Sequence, residues 1–419
     1  MKIQFISNAC AIFESDAGTR IITDPWLDDG VFEGSWCHFH KLETTWKDIQ
    51  DVDAIYLSHV HPDHYDARFF EFRKDIPIII LDHKYNFIHK NLESMGYTNL
   101  IKVKNNETVE VEKFKVTLFS PFVTNNYFEK ESIVGNLIDS AIVIEADSMV
   151  AFNANDNTPD PKASKMLKSK FGKIDLAMMN YNAAGPYPSC FNNLTTDQKI
   201  EEHHKNLARN IDYLGENLEA MNPSYFLPFA GAYVLGGKLH HKNEYLGTTT
   251  WDHCASELRS KDSFDTEIIC LNEKDVFDIN LGVSDKPYVQ VDMGEVNRYI
   301  KEELSLLKYP YEDDIQPDLS LLEEDIILAS ERMLQRCERI NLVPDMNVYI
   351  SLKENKIKLT SAKESKGDLF CSLDSRLLRR ILDRSSHWNN AEIGCHVEFK
   401  RSPNYYSPDI HTMLQFLHL

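Results

Sequence analysis

The chain has 419 residues and a formal net charge of −20, from 45 lysines and arginines against 65 aspartates and glutamates. Its 42% apolar and 11% aromatic residues are typical of a globular protein with room for one to three domains. So large an acidic excess argues against nucleic acid and an anionic membrane as partners, because both need basic surface. An anionic small molecule remains compatible with this charge, because local basic pockets can still exist.

The N-terminal part alternates short apolar segments with turns. We predict strands at 3–6, 11–14 and 20–22. The third strand runs into Asp24, and the following Pro25 restricts the backbone there. Asp24 is therefore either a simple turn former or a residue that supports a metal site at the strand's exit.

The most informative stretch of the chain is Ser-His-Val-His-Pro-Asp-His at 58–64, which follows an apolar strand at 54–57. Pro62 cannot continue a strand's hydrogen bonding, so the chain turns there. Histidines two residues apart face the same way in an extended segment, and a third can reach back from the turn. Converging imidazoles and carboxylates are what a divalent metal needs. We predict as metal ligands His59, His61, Asp63 and His64.

Two later stretches extend this site. A strand near 149–154 runs into Asp156, in the position expected for a carboxylate that bridges two metals. The alternative for Asp156 is an ordinary Asn/Asp turn. A glycine-bearing loop further on holds His240 and His241, one of which would close the metal site, with His241 preferred.

A turn-rich loop at 182–193 is a candidate pocket wall. It is about as well explained as a plain surface loop. Its candidate substrate-facing residues are Tyr187, Ser189 and Cys190.

The eight cysteines are scattered, without a Cys-x-x-Cys pair. This pattern favours reduced thiols and a cytoplasmic location. The N-terminus lacks the apolar core and cleavage site of a signal peptide, and no apolar run is long enough to span a bilayer.

The sequence pattern changes beyond an acidic, proline-containing linker at 309–318. A long amphipathic helix at 319–339 is followed by paired strands at 347–352 and 356–359 and by further helices. We predict a metal-binding catalytic domain at 1–275, a connecting segment at 276–317 and a small α+β domain at 318–419.

The order of Asp24, His59-x-His61-x-Asp63-His64, Asp156 and a late histidine resembles the metallo-β-lactamase superfamily over 1–275. The resemblance implies an α/β fold, a four-layer αββα sandwich. A closer likeness is to the metal-binding domain of CMP-N-acetylneuraminic acid hydroxylase and to the ascorbate-6-phosphate lactonase branch. The stretches that carry this likeness are 24–27, 155–156, 185–190, 228–231 and 388–392. The C-terminal pattern is weakly similar to sterol-carrier-like domains.

Two departures from the family pattern matter. The superfamily usually supplies another histidine before the bridging aspartate, whereas none occurs here between His89 and His203. Asn136 or Asp139 lies about where that ligand is expected. The hydroxylase also carries a Rieske domain, which needs a Cys-x-His pattern together with a Cys-x-x-His pattern; this sequence contains no Cys-x-His, so the pair is incomplete. Oxygenase chemistry would then need electrons from elsewhere.

The leading hypothesis is metal-assisted hydrolysis of a small, anionic, phosphorylated or nucleotide-sugar-like substrate. One or two divalent metals, with zinc favoured and iron or manganese as alternatives, would activate a water. In this hypothesis Asp156 bridges the metals, Asp63 ligates or handles the water's proton, and Asp24 orients a histidine. The alternative is an iron-dependent oxygenase, and a third interpretation is a binding scaffold without turnover.

Overall fold

A computed structural model of the chain describes residues 1–68, 74–83, 87–122, 138–261, 264–353 and 355–419. Asn136, one of the predicted site residues, lies outside these ranges. Within them, no helix combines the length and the apolar character needed to cross a membrane. All eight cysteines are free thiols.

The first sheet has eight strands, with antiparallel pairing at one side and parallel pairing at the other. They are β1 (Lys2–Ser7), β2 (Cys10–Glu14), β3 (Arg20–Thr23), β5 (Ala54–Tyr56), β6 (Ile78–Leu81), β7 (Leu100–Val103), β16 (Val276–Asp278) and β17 (Val283–Ser284). The spatial order is β17-β16-β1-β2-β3-β5-β6-β7. The segment predicted as a connection from residue 276 onward therefore adds two strands to this sheet.

The second sheet has seven strands in the order β15-β13-β12-β11-β10-β9-β8. They are β8 (Thr108–Val111), β9 (Phe114–Phe119), β10 (Ala141–Ala146), β11 (Met149–Asn153), β12 (Leu176–Asn180), β13 (Tyr225–Phe229) and β15 (Glu267–Ile268). Strands β11, β12, β13 and β15 pair in parallel. A separate two-stranded ladder joins β4 (Trp36–Cys37) to β14 (Val234–Leu235).

Side-chain alternation along the strands builds the layers. In β6, Ile79 faces the core between the two sheets, whereas Ile78 and Ile80 face the outer core under α1 (Phe87–Ser94). The second sheet packs its outer face against α2 (Pro161–Phe171), α3 (Thr196–Met221) and α4 (Trp251–Ser260). This arrangement confirms the predicted αββα sandwich.

The C-terminal part has a four-stranded sheet in the order β19-β18-β20-β21. Its strands are β18 (Asn347–Leu352), β19 (Asn355–Thr360), β20 (Asp368–Ser372) and β21 (Glu398–Ser402). The α-helices that follow β17 in the described residues are α5 (Met293–Glu302), α6 (Leu319–Arg339), α7 (Ser375–Leu382), α8 (Trp388–Ile393) and α9 (Pro408–Leu414). The hydrophobic core of the C-terminal part also contains Trp26, Trp36 and Tyr233 from the N-terminal part of the chain, so the two parts share one core.

Candidate metal centre

The site forms where parallel strands end at the same edge. Asp24 follows β3, and the histidine stretch follows its parallel neighbour β5. On the second sheet, Asp156 follows β11, and Asn180 ends the parallel β12. Carboxyl ends of parallel strands meet at one edge, which is why side chains so distant in sequence come together.

One group of donors centres on His59. Its Nε2 lies 2.9 Å from Nδ1 of His61. His59, His61 and Asp156 each offer a donor atom within 4.8 Å of the others, which is close enough to hold one ion. Oδ1 of Asp139 lies 3.8 Å from Nε2 of His59, so a carboxylate stands beside this group.

A second group centres on His64. Its Nε2 lies 3.3 Å from Oδ2 of Asp63 and 3.5 Å from Oδ2 of Asp156. The same Oδ2 of Asp156 is 3.7 Å from Nε2 of His59. Asp156 thus stands between the two groups of donors, where the sequence predicted a bridging carboxylate.

Asp24 supports the site from behind. Its fully buried carboxylate accepts hydrogen bonds from the Ser58 backbone at 2.7 Å, from the Ser58 hydroxyl at 2.6 Å and from Nδ1 of His64 at 2.9 Å. A carboxylate on one ring nitrogen fixes the imidazole's tautomer and orientation. Nε2 of His64 is thereby directed toward Asp63 and Asp156.

Two asparagines steady the carboxylates. Asn8 donates its amide to Oδ2 of Asp63 at 3.4 Å, and Asn180 donates to Oδ1 of Asp156 at 2.9 Å. We did not predict either residue as part of the site. Asn180 lies at the end of a parallel strand, which is the same signal that pointed to Asp156. Asn8 lies in a tight turn between β1 and β2, and its sequence does not differ from that of an ordinary turn.

The protonation equilibria reflect crowding of charge in a buried space. Burial and the neighbouring His64 and His61 rings hold the pKa of His59 well below its ordinary value. Burial would also lower the pKa of His64, but Asp63, Asp156 and Asp24 outweigh it and raise that pKa well above the usual range.

The carboxylates respond in opposite directions. Burial raises the pKa of Asp24, and hydrogen bonds from His64 and Ser58 offset part of the rise. Burial acts the same way on Asp156, but the charges of His64 and His59 prevail and lower its pKa.

The donor set fits a divalent cation. Nε2 of His64 is buried and, among the described residues, makes no hydrogen bond despite facing two carboxylates. Four aspartates, at positions 24, 63, 139 and 156, surround three imidazoles, so a cation would balance the excess negative charge. A mixed imidazole and carboxylate set suits zinc, iron or manganese.

The structure does not bring His240 and His241 to this cluster. Both belong to a 3₁₀ helix, Gly237–Tyr245, and line a separate cavity of about 1020 Å³ beside α5. Nδ1 of each ring contacts a carbonyl of the same helix, Gly237 for His240 and Lys238 for His241, both at 2.9 Å.

The loop residues proposed to face substrate are engaged elsewhere. Tyr187 donates its hydroxyl to Glu202 at 2.9 Å. Ser189 and Cys190 are buried against the C-terminal part, where the Ser189 hydroxyl lies 3.6 Å from the Cys190 sulfur and 3.8 Å from the Cys395 sulfur. These two residues therefore contribute to packing between the two parts of the chain.

One residue of the C-terminal part reaches the cluster. Oδ1 of Asn389, in α8, accepts a hydrogen bond from Nε2 of His61 at 2.8 Å. No period or spacing in the sequence connects positions 328 residues apart, so only the tertiary structure could identify this contact.

Comparisons with known proteins agree with this architecture. Residues 19–214 match the family model described as "Beta-lactamase superfamily domain". Over 234 residues the chain is 26% identical to a Rieske 2Fe-2S iron–sulfur protein of Mycolicibacterium smegmatis, an alignment that covers 55% of this chain and 43% of that protein. The chain thus spans less than half the length of that relative.

Two further proteins illustrate the range of similarity. A cytidine monophosphate-N-acetylneuraminic acid hydroxylase of Macaca mulatta is 21% identical over 451 aligned positions, which cover 97% of this chain and 70% of that protein. The solved structure of CmlA, a diiron β-hydroxylase from Streptomyces venezuelae, has a TM-score of 0.44 at 15% identity and covers 64% of this chain and 53% of its own.

Proposed function

Because residues 19–214 of this chain are a domain of the beta-lactamase superfamily, we propose that the protein is a metal-dependent hydrolase. The position of Asp156 carries the proposal. Its Oδ2 lies within 3.7 Å of ring nitrogens from both His59 and His64. A carboxylate shared by two sets of donors suits a centre with two metal ions, and hydrolysis is a reaction that such centres catalyse.

His59, His61 and Asp156, with Asp139 beside them, would hold one ion, while Asp63, His64 and the shared Asp156 would hold the other. Such ions lower the pKa of water and polarise the bond to be cleaved. The protein's own contribution is orientation. Asp24 directs Nε2 of His64 into the site, and Asn180 holds the Asp156 carboxylate.

Asp63 has an alternative role to that of a ligand, which is to handle the proton of the attacking water. Its Oδ2 accepts a hydrogen bond from the Asn8 amide and faces Nε2 of His64, whereas Asp156 is the carboxylate between the two groups of donors. It can orient a water or take its proton as a general base.

We propose a small, anionic substrate of the phosphorylated or nucleotide-sugar-like class. The support is a relative whose alignment covers 97% of this chain and whose name, cytidine monophosphate-N-acetylneuraminic acid hydroxylase, states a nucleotide-sugar substrate. The net charge of −20 makes a long polyanion a poor partner, whereas a single anionic group can be met by the metal centre itself.

A metal-dependent oxygenase is the second candidate. Two observations favour it, the carboxylate-rich donor set around His59 and the hydroxylase relative that aligns along nearly the whole chain. This reaction would require an external electron donor.

The test compares metal-loaded wild type with His59→Ala and with His204→Ala, an exposed histidine of α3 that serves as the control. Protein reconstituted separately with Zn²⁺ and Fe²⁺ is assayed on p-nitrophenyl esters and phosphodiesters, with and without oxygen. Hydrolysis that is independent of oxygen and lost only in His59→Ala supports the proposal. Turnover that requires iron and consumes oxygen would overturn it in favour of the oxygenase.

A further inference from the structure

A side chain of the C-terminal part, that of Asn389, contacts the metal centre. Oδ1 of Asn389 is 2.8 Å from Nε2 of His61, and only an N–H at that ring nitrogen can donate to a carbonyl oxygen. A neutral imidazole with its proton on Nε2 keeps the lone pair of Nδ1 free. That Nδ1 faces Nε2 of His59 at 2.9 Å.

The backbone around Asn389 is held firmly against the first domain. Trp36 donates its indole N–H to the carbonyl of Ile393 at 3.1 Å, and the hydroxyl of Ser35 donates to the carbonyl of Gly394 at 2.8 Å. A side chain at Gly394 would place its Cβ 2.7 Å from the carbonyl oxygen of Phe32, so the two backbones approach as closely as glycine allows.

The loop around 32–36, which carries these residues, also reaches the metal centre. The ring of Phe32 lies 5.9 Å from the ring of His61. The backbone carbonyl of Phe32 accepts a hydrogen bond from Nε2 of His396 at 3.0 Å. The loop around 32–36 thus contacts both His61 and the segment that carries Asn389. The position of Asn389 over His61 follows from this docking rather than from a flexible surface contact.

We infer that Asn389 is a positioning residue for the metal centre, which selects the His61 tautomer whose Nδ1 can bind the ion. The inference rests on the proposed function, since it assumes that His61 is a metal ligand. It makes the C-terminal domain part of the metal site rather than an appendage, and it links metal binding to the docking of that domain.

The experiment measures Zn²⁺ affinity by competition with a chromophoric chelator, and the thermal midpoint of each metal-free protein. Asn389→Leu removes the acceptor at similar size, whereas Asn389→Asp keeps an acceptor oxygen in place. Asn390→Leu is the matched control, because the neighbouring Asn390 lines a different cavity with Glu33 and His387. The full chain is used throughout.

Since loss of a hydrogen-bond partner to a ligating histidine weakens metal affinity by about 10–100-fold, we expect that loss in Asn389→Leu. Asn389→Asp should bind Zn²⁺ at least as tightly as wild type, and Asn390→Leu should match wild type. Equal affinity in wild type and Asn389→Leu would overturn the inference while the proposed function stands. Equal losses in Asn389→Leu and Asn390→Leu would also overturn it, because they would indicate a general loosening of the interface. A wild type that binds no divalent metal would overturn the proposed function itself.

Discussion

At the scale of single residues, the site depends on buried carboxylates held in place by hydrogen-bond donors. Asp24 is inaccessible to solvent and would be costly to bury as an anion without partners. Ser58 and His64 supply three hydrogen bonds to it. Because these bonds occupy the buried carboxylate, its role is to orient His64 rather than to contact solvent or substrate.

Replacing Asp24 by Asn should weaken metal binding without removing a ligand. The two carboxylate oxygens accept three hydrogen bonds, and an amide with one acceptor oxygen cannot keep all three, so we expect Zn²⁺ affinity to fall by about 10–100-fold. Asp29→Asn is the control, because Asp29 pairs with His38 at 3.0 Å in a separate carboxylate–imidazole contact. Isothermal titration calorimetry with Zn²⁺ compares the affinities of the two variants. Equal affinities for the two variants would contradict the orienting role of Asp24.

Sequence reasoning predicts some of these residues and not others for a physical reason. Asp24 comes directly after β3, and Asp156 lies three residues beyond the end of β11, so a strand-end rule places both near His59. Asn389 reaches the same site only because the loop around 32–36 docks against α8. A contact created by docking of two surfaces leaves no local pattern in the sequence.

At the scale of elements, the 3₁₀ helix Gly237–Tyr245 packs against β21 through a buried ammonium. Lys242 is 4% exposed and pairs with Glu398. It also donates to the carbonyl of Cys395 at 2.9 Å and lies 3.2 Å from the Cys190 sulfur. Burial would lower the pKa of Lys242, but the nearby cysteines and Glu398 reverse the shift and raise it.

Lys242→Met should destabilise the protein by about 2 kcal/mol, because it leaves the Cys395 carbonyl and the Glu398 carboxylate without their cation. Lys238→Met, in the same helix, is the control. Lys238 is about half exposed and pairs with Glu312 at 3.2 Å, so its loss should change stability by less than about 1 kcal/mol. Urea unfolding at neutral pH measures both. Equal changes would refute the special role of the buried ammonium.

The long helix α6 is predictable from the sequence, whereas the short strands β16 and β17 are not. The predicted helix at 319–339 coincides with α6, because 21 residues give several turns of apolar periodicity. Strands β16 and β17 span only three and two residues, too few to show any period, so their segment was predicted as a connection. These strands form because β16 pairs with β1 and β17 pairs with β16.

At the scale of the whole molecule, a buried histidine lies where the two parts dock. His396 donates Nε2 to the carbonyl of Phe32 at 3.0 Å, and its Nδ1 accepts from the Tyr311 hydroxyl at 3.1 Å. Burial lowers the pKa of His396 to about 3, the Phe32 carbonyl opposes that shift, and the charges of Lys242 and Lys238 reinforce it.

The docked state should therefore be sensitive to acid. The folded protein keeps His396 neutral down to a pKa of about 3, whereas an unfolded chain protonates a histidine near pH 6.5. Because the unfolded state binds the extra proton between these values, stability is lost as the pH falls from about 6.5 toward 3. The slope from this one residue is at most about 1.4 kcal/mol per pH unit.

Urea unfolding of wild type and His396→Gln between pH 7 and pH 4 measures this effect. The difference in unfolding free energy between the two should be largest at pH 7 and should shrink as the pH falls. His204→Asn, a change at an exposed position of α3, should leave the wild-type pH dependence intact. A difference independent of pH would show that the protonation of His396 is not linked to unfolding.

The most direct test of the proposed two-metal centre is an anomalous difference map from crystals of the full chain grown with Zn²⁺. We predict two peaks on either side of Asp156, one shared by His59 and His61 and the other by Asp63 and His64. Peaks only at surface histidines such as His204 or His241, or none at the cluster, would contradict the account.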